Sequence, residues 1–426
     1  MSRKRETVAA IDFGSRAIRV VIASRHVSGQ TRILGYGSTP TQGAVNFGAI
    51  QDINLATSRV NLAITEAQRM ANMRVHSLYC GIQGKTLDSR ISDGKVEIEN
   101  GLVKEEHLDA ARHNASLESG APDSHPVSCV RSEEWTVDDM RVADPIGMRG
   151  SVLKGRMHFT RMSVFLANNL RSCLHSQKKE ITEFVYMPLA AAHGCLTLED
   201  IRLGAAVINF GSTSTSVAVY NDNRLMATEV FEWGSGHFIR DVAAILKVNF
   251  EEATELVLQY GINLKLIQPP ARNTFRSVSA QKNNASEERV TIKLHNTATG
   301  APSTVDESKL NQIIYDRGNQ FSGMIAQYLE EQGYTKHLSR GLVVTGGGAA
   351  IANQDRLLEE VSMISTRIGL PIGFNELPDP INTTEWAPTI GIVNYAFAHR
   401  RSKGLSPKPK DNTRFAQVKR FLDKYF

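Results

Sequence analysis

Two short apolar runs near the start of the chain, Val8–Ile11 and Val20–Ala23, flank the tetrapeptide Asp12-Phe13-Gly14-Ser15. An apolar run, a tight Gly-Ser turn and a second apolar run predict strand, turn, strand. Half a chain later the pattern returns: Ala205–Ile208 and Val217–Tyr220 flank Asn209-Phe210-Gly211-Ser212. A hairpin repeated at half-chain spacing predicts two related domains that face one another. Between and beyond the repeats, Leu55–Met70 carries Leu55, Ser58, Leu62, Ile64 and Met70 at helical spacing and predicts a helix. Residues from Gly84 to Met162 read as an inserted small α+β domain. They are rich in turn signals, Asp93-Gly94, Asn100-Gly101 and Asp144-Pro145, around an acidic helix at Lys104–Leu117. Glu252–Tyr260 and the long amphipathic Asn311–Gln332 predict helices, and Gly341–Thr345 predicts a strand running into Gly346-Gly347-Gly348. Pro269–Gly300 is polar and reads as loop, with Arg272, Arg276, Lys282, Arg289 and Lys293. Ser402–Thr413 has linker composition.

Composition adds bounds. A chain of 426 residues is too long for one compact core, so at least two domains are expected. A hydrophobic share of 41% and a charged share of 22% place it with soluble globular chains. The net charge of +5 matters only where it clusters. Cys80, Cys129, Cys173 and Cys195 form no CxxC pair, which points to free thiols in a reducing compartment. Ser2–Thr7 is charged with no apolar stretch after it, against a secretory leader. No apolar run reaches bilayer-spanning length.

The glycine turns carry the chemistry. A strand-turn-strand with Gly-Ser at its tip turns consecutive backbone N–H groups outward, a nest suited to phosphate oxygens. Asp12, just before the first tip, is placed to hold a hydrated Mg²⁺ beside those phosphates. Val343–Ile351 ends a strand in three glycines, where a base or ribose can lie on bare backbone. No GxxxxGK[ST] occurs, and Ile239 spoils a dinucleotide fingerprint beginning at Gly234.

With the connecting segments Met187-Pro188-Leu189-Ala190 and Pro388-Thr389-Ile390-Gly391-Ile392, these pieces resemble the actin-like ATPase superfamily. Within it the chain is similar to the FtsA family of bacterial cell-division proteins, through Leu78–Gly84 (LYCGIQG), Asp144–Gly150 (DPIGMRG) and the C-terminal segment. The resemblance implies an α/β fold, actin-like (ribonuclease H-like) duplicated domains with an inserted small α+β subdomain. Subdomain 1A would take residues 1–83 and 163–204, inserted 1C 84–162, 2A 205–232 and 311–384, and 2B 233–310. Residues 385–401 would return to 1A as a helix, 402–413 would be a flexible linker, and 414–426 a membrane-targeting amphipathic helix.

The resemblance also implies ATP with Mg²⁺ as ligand. The site would comprise Asp12, Gly14, Ser15 and Arg16 from the first tip and Asn209, Gly211, Ser212 and Thr213 from the second. Gly346, Gly347, Gly348 and Ala349 would hold the adenosine, Gly236 and Asp241 the ribose, and Arg317 the adenine edge. The superfamily usually has a second carboxylate where this chain has Asn209. A neutral amide can donate to a phosphate but cannot act as a general base, so slow or absent hydrolysis is expected, with no catalytic residue assigned.

At Arg414–Phe426, Phe415, Val418, Phe421, Leu422, Tyr425 and Phe426 fall within an arc of roughly 140°. Arg414, Lys419, Arg420 and Lys424 lie on the other side. So short a helix needs a surface, and the cations favour anionic lipid at about 1 kcal/mol each. Many such anchors on one filament would hold firmly. By resemblance, residues 233–310 receive the C-terminal peptide of the tubulin-like protein FtsZ, with Arg289 and Lys293 as contacts. The further partners implied are the chain itself in filaments and downstream divisome membrane proteins; nothing in the pattern supports nucleic acid. The expected role is a membrane-tethered, ATP-binding adaptor that polymerises and anchors FtsZ filaments at the division septum, on the cytoplasmic face of the inner membrane. A PilM-like pilus-assembly protein or an actin-fold kinase are the alternatives.

Overall fold

The computed structural model describes residues 5–84, 87–118, 124–142, 144–267, 290–295 and 303–402. Along the chain, β1 (Arg5–Phe13), β2 (Ala17–His26) and β3 (Thr31–Pro40) precede a short pair, β4 (Val45–Asn46) and β5 (Ala49–Ile50), then α1 (Ile53–Ala71) and β6 (Ser77–Ile82). Next come β7 (Leu87–Glu97), α2 (Glu105–Glu118), β8 (Ser124–Val137), β9 (Met140–Val142) and β10 (Val152–Ser163). The chain continues through α3 (Val164–His175), β11 (Glu180–Tyr186), α4 (Met187–Cys195), α5 (Leu198–Leu203), β12 (Ala205–Phe210), β13 (Thr215–Asn221) and β14 (Arg224–Phe231). It ends with α6 (Gly236–Leu246), α7 (Phe250–Tyr260), β15 (Thr291–Leu294), β16 (Ser303–Asp306), α8 (Glu307–Glu331), β17 (Leu342–Thr345), α9 (Gln354–Ser362), β18 (Thr366–Ile368) and α10 (Ala387–Ser402).

Two five-stranded sheets share one plan. The first runs β3-β2-β1-β6-β11 and the second β14-β13-β12-β17-β18. In each, three antiparallel strands meet two that run parallel to the central one. The duplication expected from the two hairpins is therefore an architectural one. Central strands buried on both faces read as unbroken apolar runs, and β12 is buried along its whole length.

Close packing explains several glycines. A Cβ on Gly35 or Gly37 of β3 would meet the carbonyls of Ala67 and Ala63 at 2.2 Å each, so α1 lies directly on bare strand backbone. This corrects the face predicted for that helix. Its buried side is Ala56, Val60, Ala63, Ile64 and Ala67, while Leu62 and Met70 are exposed. Small residues win the core face because a larger side chain would hold the helix off the glycines. The inserted unit repeats the device: a Cβ on Gly94 would come within 1.8 Å of the Ala111 carbonyl of α2. Asp93-Gly94 is thus strand interior in β7, not the turn its composition predicts; the glycine serves contact with a helix. The polar stretch read as loop also holds structure. Ile292 and Leu294 of β15 point inward, and β15 pairs with β16. Arg272, Arg276, Lys282 and Arg289 lie outside the described residues, as do residues 403–413 of the expected linker and Arg414–Phe426; Ser402, expected to open the linker, instead ends α10.

Helices α4 and α10 join the halves. Almost every residue of α4 is buried, as befits a helix that is apolar all round. It crosses α10 at glycines: a Cβ on Gly391 would reach the Ala190 carbonyl at 1.8 Å, and one on Gly194 the Ala387 carbonyl at 2.1 Å.

The inserted sheet runs β7-β10-β8-β9 and, with α2, encloses its own core around Leu108, Trp135, Leu153, Met157 and Phe159. It touches both halves. His158 Nε2 lies 2.9 Å from Ser89 Oγ and 3.0 Å from Thr228 Oγ1 of β14. Tyr186, at the end of β11, hydrogen-bonds to the same two hydroxyls, and burial pushes its phenol up to about 12. Burial also holds His158 down at about 4, so it is neutral at pH 7. Arg224 of β14 pairs with Glu134 of β8 beside this joint.

Candidate functional site

The two repeated turns meet. Ser15 Oγ and Thr213 Oγ1 are 2.7 Å apart, so one tip from each half closes over a common cleft. Around it stand Asp12, Gly14, Ser15, Arg16 and Arg19 from the first half, and Asn209, Gly211, Ser212, Thr213 and Ser214 from the second. Gln83, Leu258, Gly346, Gly347 and Glu385 are also on the wall of this cleft of about 200 Å³.

Both tips are built by the same backbone logic. Thr41 donates from its hydroxyl to the Gly14 carbonyl at 2.8 Å and from its amide to the Arg16 carbonyl at 2.9 Å. At the second tip the amides of Ser235 and Gly236 donate to the carbonyls of Gly211 (2.9 Å) and Ser212 (2.8 Å). In a trans peptide the N–H points opposite to the C=O. Drawing these carbonyls back therefore turns the following amides, among them those of Ser15, Ser212 and Thr213, the other way, which makes a nest at each tip. Bare glycine is required at both tips and at Gly346, whereas a Cβ on Gly347 would meet open space. A Cβ on Gly14 or Gly211 would sit 2.6 or 2.7 Å from a carbonyl oxygen of its own turn, and one on Gly234 would sit 2.5 Å from the Ser212 carbonyl. Gly346 has φ +86°, and a Cβ there would lie 2.6 Å from Asn209 Oδ1.

Charge is confined to one side. Asp12 and Arg19 are cross-strand partners on β1 and β2, which puts both side chains on one face. Burial pushes the Asp12 carboxyl above its usual range, against the pull of Arg19 and of the Thr389 hydroxyl at 3.4 Å. Arg19 Nη2 donates to Glu385 Oε2 at 2.6 Å. The corresponding pair on β12 and β13 is Asn209 with Ser216. Asn209 donates from its amide to Gln83 Oε1 at 3.1 Å, and Gln83 donates to Ser214 Oγ at 2.6 Å. The amide expected to face phosphate is thus engaged by a neutral neighbour from the first half.

Of the predicted site residues, Asp12, Gly14, Ser15, Arg16, Asn209, Gly211, Ser212, Thr213, Gly346 and Gly347 come together on this wall. Gly236, Asp241, Arg317, Gly348 and Ala349 are not part of it. Gly236 backs the second tip through its amide. Arg317 is paired with Asp241 at 2.5 Å, its guanidinium 5.9 Å from the centre of the Trp233 ring. Gly348 is pressed on the Phe210 ring, where a Cβ would come within 2.6 Å, and Ala349 is buried. Sequence reading missed Arg19, Gln83 and Glu385. Arg19 had a signal, since it lies opposite Asp12 in any β1–β2 hairpin; Glu385 had none. Lys293 is exposed on β15, while Arg289 and the residues Arg414, Phe415, Val418, Lys419, Arg420, Phe421, Leu422, Lys424, Tyr425 and Phe426 lie outside the described residues.

The donors of the cradle suit phosphate oxygens. Two nests, tip glycines with no room for a Cβ, and Arg16 and Arg19 converge beside two carboxylates, Asp12 and Glu385. Among the described residues no three His, Cys, Asp or Glu side chains gather as a metal site. A magnesium ion here would rest on Asp12 and on phosphate oxygens, a usual arrangement for that ion.

A family model described as cell division protein FtsA matches residues 206–391, and one described as the SHS2 domain inserted in FtsA matches residues 84–160. The chain belongs to the FtsA family. It is similar to cell division protein FtsA of Pseudomonas aeruginosa, 24% identical over 404 residues, covering 94% of this chain and 91% of that protein. Against FtsA of Neisseria meningitidis it is 23% identical over 436 residues, with 100% of both chains covered. Against FtsA of Escherichia coli K12 it is 22% identical over 399 residues, covering 92% and 90%. Solved structures share the actin-like fold. The PilM-PilN type IV pilus biogenesis complex aligns with TM-score 0.63 at 13% identity, covering 94% of this chain and 99% of that one. MreB5 of Spiroplasma citri bound to ADP aligns with TM-score 0.53 at 12% identity, covering 94% and 99%. As an FtsA-family member the chain is a cell-division protein on an actin-like fold, with the SHS2 unit inserted in its first half.

Proposed function

We propose that this FtsA-family chain binds ATP with Mg²⁺ in the cleft between its halves and acts as an adaptor rather than as a fast enzyme. The reading rests above all on the meeting of the two glycine tips, whose turned-out amides and hydroxyls suit phosphate oxygens from both sides. Asp12 holds the cation side, Arg16 and Arg19 balance phosphate charge, and Gly346 and Gly347 offer bare backbone to the nucleoside. The bound cation would supply charge neutralisation at the phosphates. Asn209, bonded to Gln83, supplies no base for an attacking water, so hydrolysis is slow. Opening is part of binding: about 200 Å³ is below the 300–1,000 Å³ usual for ligand pockets, so the halves must part along the α4–α10 crossing.

In cell division the chain polymerises, anchors FtsZ filaments to the cytoplasmic membrane at the septum and recruits later divisome membrane proteins. The inserted subdomain and residues 233–310 offer surfaces for those contacts, Arg289 and Lys293 facing the FtsZ peptide. In this reading the segment after α10 serves as the linker and Arg414–Phe426 as the lipid-binding segment. None of the helices among the described residues is long and apolar enough to cross a membrane. Co-sedimentation with anionic liposomes, with and without ATP, tests the whole reading. The full chain should pellet, and a chain lacking 414–426 should stay in the supernatant while still binding nucleotide. Undiminished pelleting of the shortened chain would overturn the tether, and absence of nucleotide binding would overturn the cleft.

A further inference from the structure

One ion pair in the cleft is unbalanced in a way that predicts what displaces it. Arg19 is held nearly rigidly: its side chain is 11% exposed, its guanidinium lies 5.6 Å from the centre of the Trp386 ring, and its backbone in β2 is flanked by both β1 and β3. Its partner Glu385 is 43% exposed and sits on an irregular stretch just before α10. Only one arm of the guanidinium is used by Glu385, and Arg19 Nε is buried with no hydrogen-bond partner among the described residues. A fixed, under-satisfied cation thus faces a carboxylate that is itself half exposed and can turn into water, but only when another anion takes its place, because a buried guanidinium left without a counter-charge is costly. Both line the cleft with the two tips, and Asp12 and Glu385 are the carboxylates on that wall.

We propose that Glu385 is a resident anion, a side chain that occupies Arg19 until the phosphate group of a nucleotide takes its place. The inference rests on the nucleotide reading above and adds a device to it. Phosphate oxygens offer the guanidinium a bidentate partner and can also reach the unused Nε donor, which the single contact with Glu385 leaves idle. Displacement has a mechanical consequence. The Thr384 carbonyl accepts from the amide of Gly346 at 3.0 Å and from the hydroxyl of Thr345 at 3.1 Å, so the stretch that carries Glu385 is tied to the second half. The Arg19–Glu385 contact ties the same stretch to the first half. Nucleotide binding therefore removes the ionic tie of this stretch to the first half and loosens the turn at 383–385, while Trp386 stays packed against Tyr36.

The test is a titration of the full-length protein with a fluorescent ADP analogue in the presence of magnesium, together with hydrogen exchange over residues 383–387. Glu385→Gln should tighten binding about fivefold. Glu385→Asp keeps the charge but is one methylene too short to reach Arg19, so it should tighten binding nearly as much. In an Arg19→Gln background the Glu385→Gln gain should vanish, the sign of a coupled pair. Exchange at 383–387 should rise when wild type binds, and should already be raised in Glu385→Gln without nucleotide. Competition by inorganic tripolyphosphate should show the same ranking, since the claim concerns phosphate. If Glu385→Asp binds like wild type while Glu385→Gln binds tighter, only the net charge of the cleft matters and the proposal fails. Additive effects of the two substitutions, or equal binding by all variants, also overturn it while leaving nucleotide binding intact. If wild type binds no nucleotide, both readings fall.

Discussion

At the first hairpin Asp12 faces Arg19 across β1 and β2, and Arg19 continues to Glu385. At the second, Asn209 faces Ser216 across β12 and β13, and the amide of Asn209 continues to Gln83. The turn geometry is otherwise the same, with carbonyls drawn back at both tips and glycines where no Cβ fits. Duplication has preserved the backbone device that recognises phosphate shape and confined the ionic groups to one half. Backbone nests need only glycine and a pinned carbonyl, so they tolerate drift in the neighbouring side chains. A charged pair needs a counter-charge, and Arg19 is matched on its own side of the cleft. The third strands differ in the same spirit. β3 is covered by α1 through bare glycine and alanine, whereas β14 meets the inserted sheet through the polar joint of Ser89, His158 and Thr228.

Making the first hairpin resemble the second should have the largest effect. Asp12→Asn should weaken magnesium-dependent nucleotide binding by about 100-fold to 1,000-fold, read by calorimetric titration. The same variant should melt at a higher temperature near neutral pH without ligand. Burial raises the Asp12 pKa above 3.8, so the folded protein loses stability as pH rises through that raised value; asparagine has no charge to bury. A drop in melting temperature would mean that the carboxylate is better compensated than its surroundings indicate.

The joint under β14 should respond to pH in the opposite sense. His158 titrates at about 4 in the folded chain against 6.5 for a free imidazole. Its contribution is complete above pH 6.5 and is lost as pH falls from there towards 4, amounting to ~3 kcal/mol. Protection factors of the β14 amides, exchange rates corrected for their intrinsic slowing at lower pH, should fall over that window, and His158→Phe should flatten the dependence. Unchanged protection factors between pH 7 and 4.5 would show that the inserted sheet is held by other contacts.

Making the second hairpin resemble the first should be milder. Asn209→Asp restores a carboxylate, and phosphate release from ATP should rise about tenfold. Wild-type turnover already within about 1–100 s⁻¹ would refute the assignment of slow hydrolysis to Asn209. The smallest effect belongs to the contact the hairpins share. Thr213→Val removes the Ser15–Thr213 bond, and nucleotide association measured by stopped flow should quicken about threefold.

Much of this was legible before any coordinates. The repeated apolar runs predicted both hairpins and their duplication, and helical spacing found α1, α2, α7 and α8 within a few residues. The face of α1 was misread because hydrophobic size was taken as the guide, and contact with Gly35 and Gly37 rewards smallness instead. Asp93-Gly94 was misread for a related reason, since a glycine that admits a helix looks like one that makes a turn. The cleft's glycines and Asp12 were visible as motif. Glu385 was not, because its partner Arg19 lies 366 residues away.

By itself the sequence determined which stretches turn, which alternate and which repeat, because backbone preference and hydrophobic period depend on neighbours a few residues apart. Only the tertiary structure decided that Arg19 answers to Glu385, that Asn209 answers to Gln83, and that Asp241 and Arg317 answer to each other away from the cleft wall. Those pairings are set by how two sheets close on α4 and α10. The distance between two side chains in space is fixed by that packing, not by their separation along the chain.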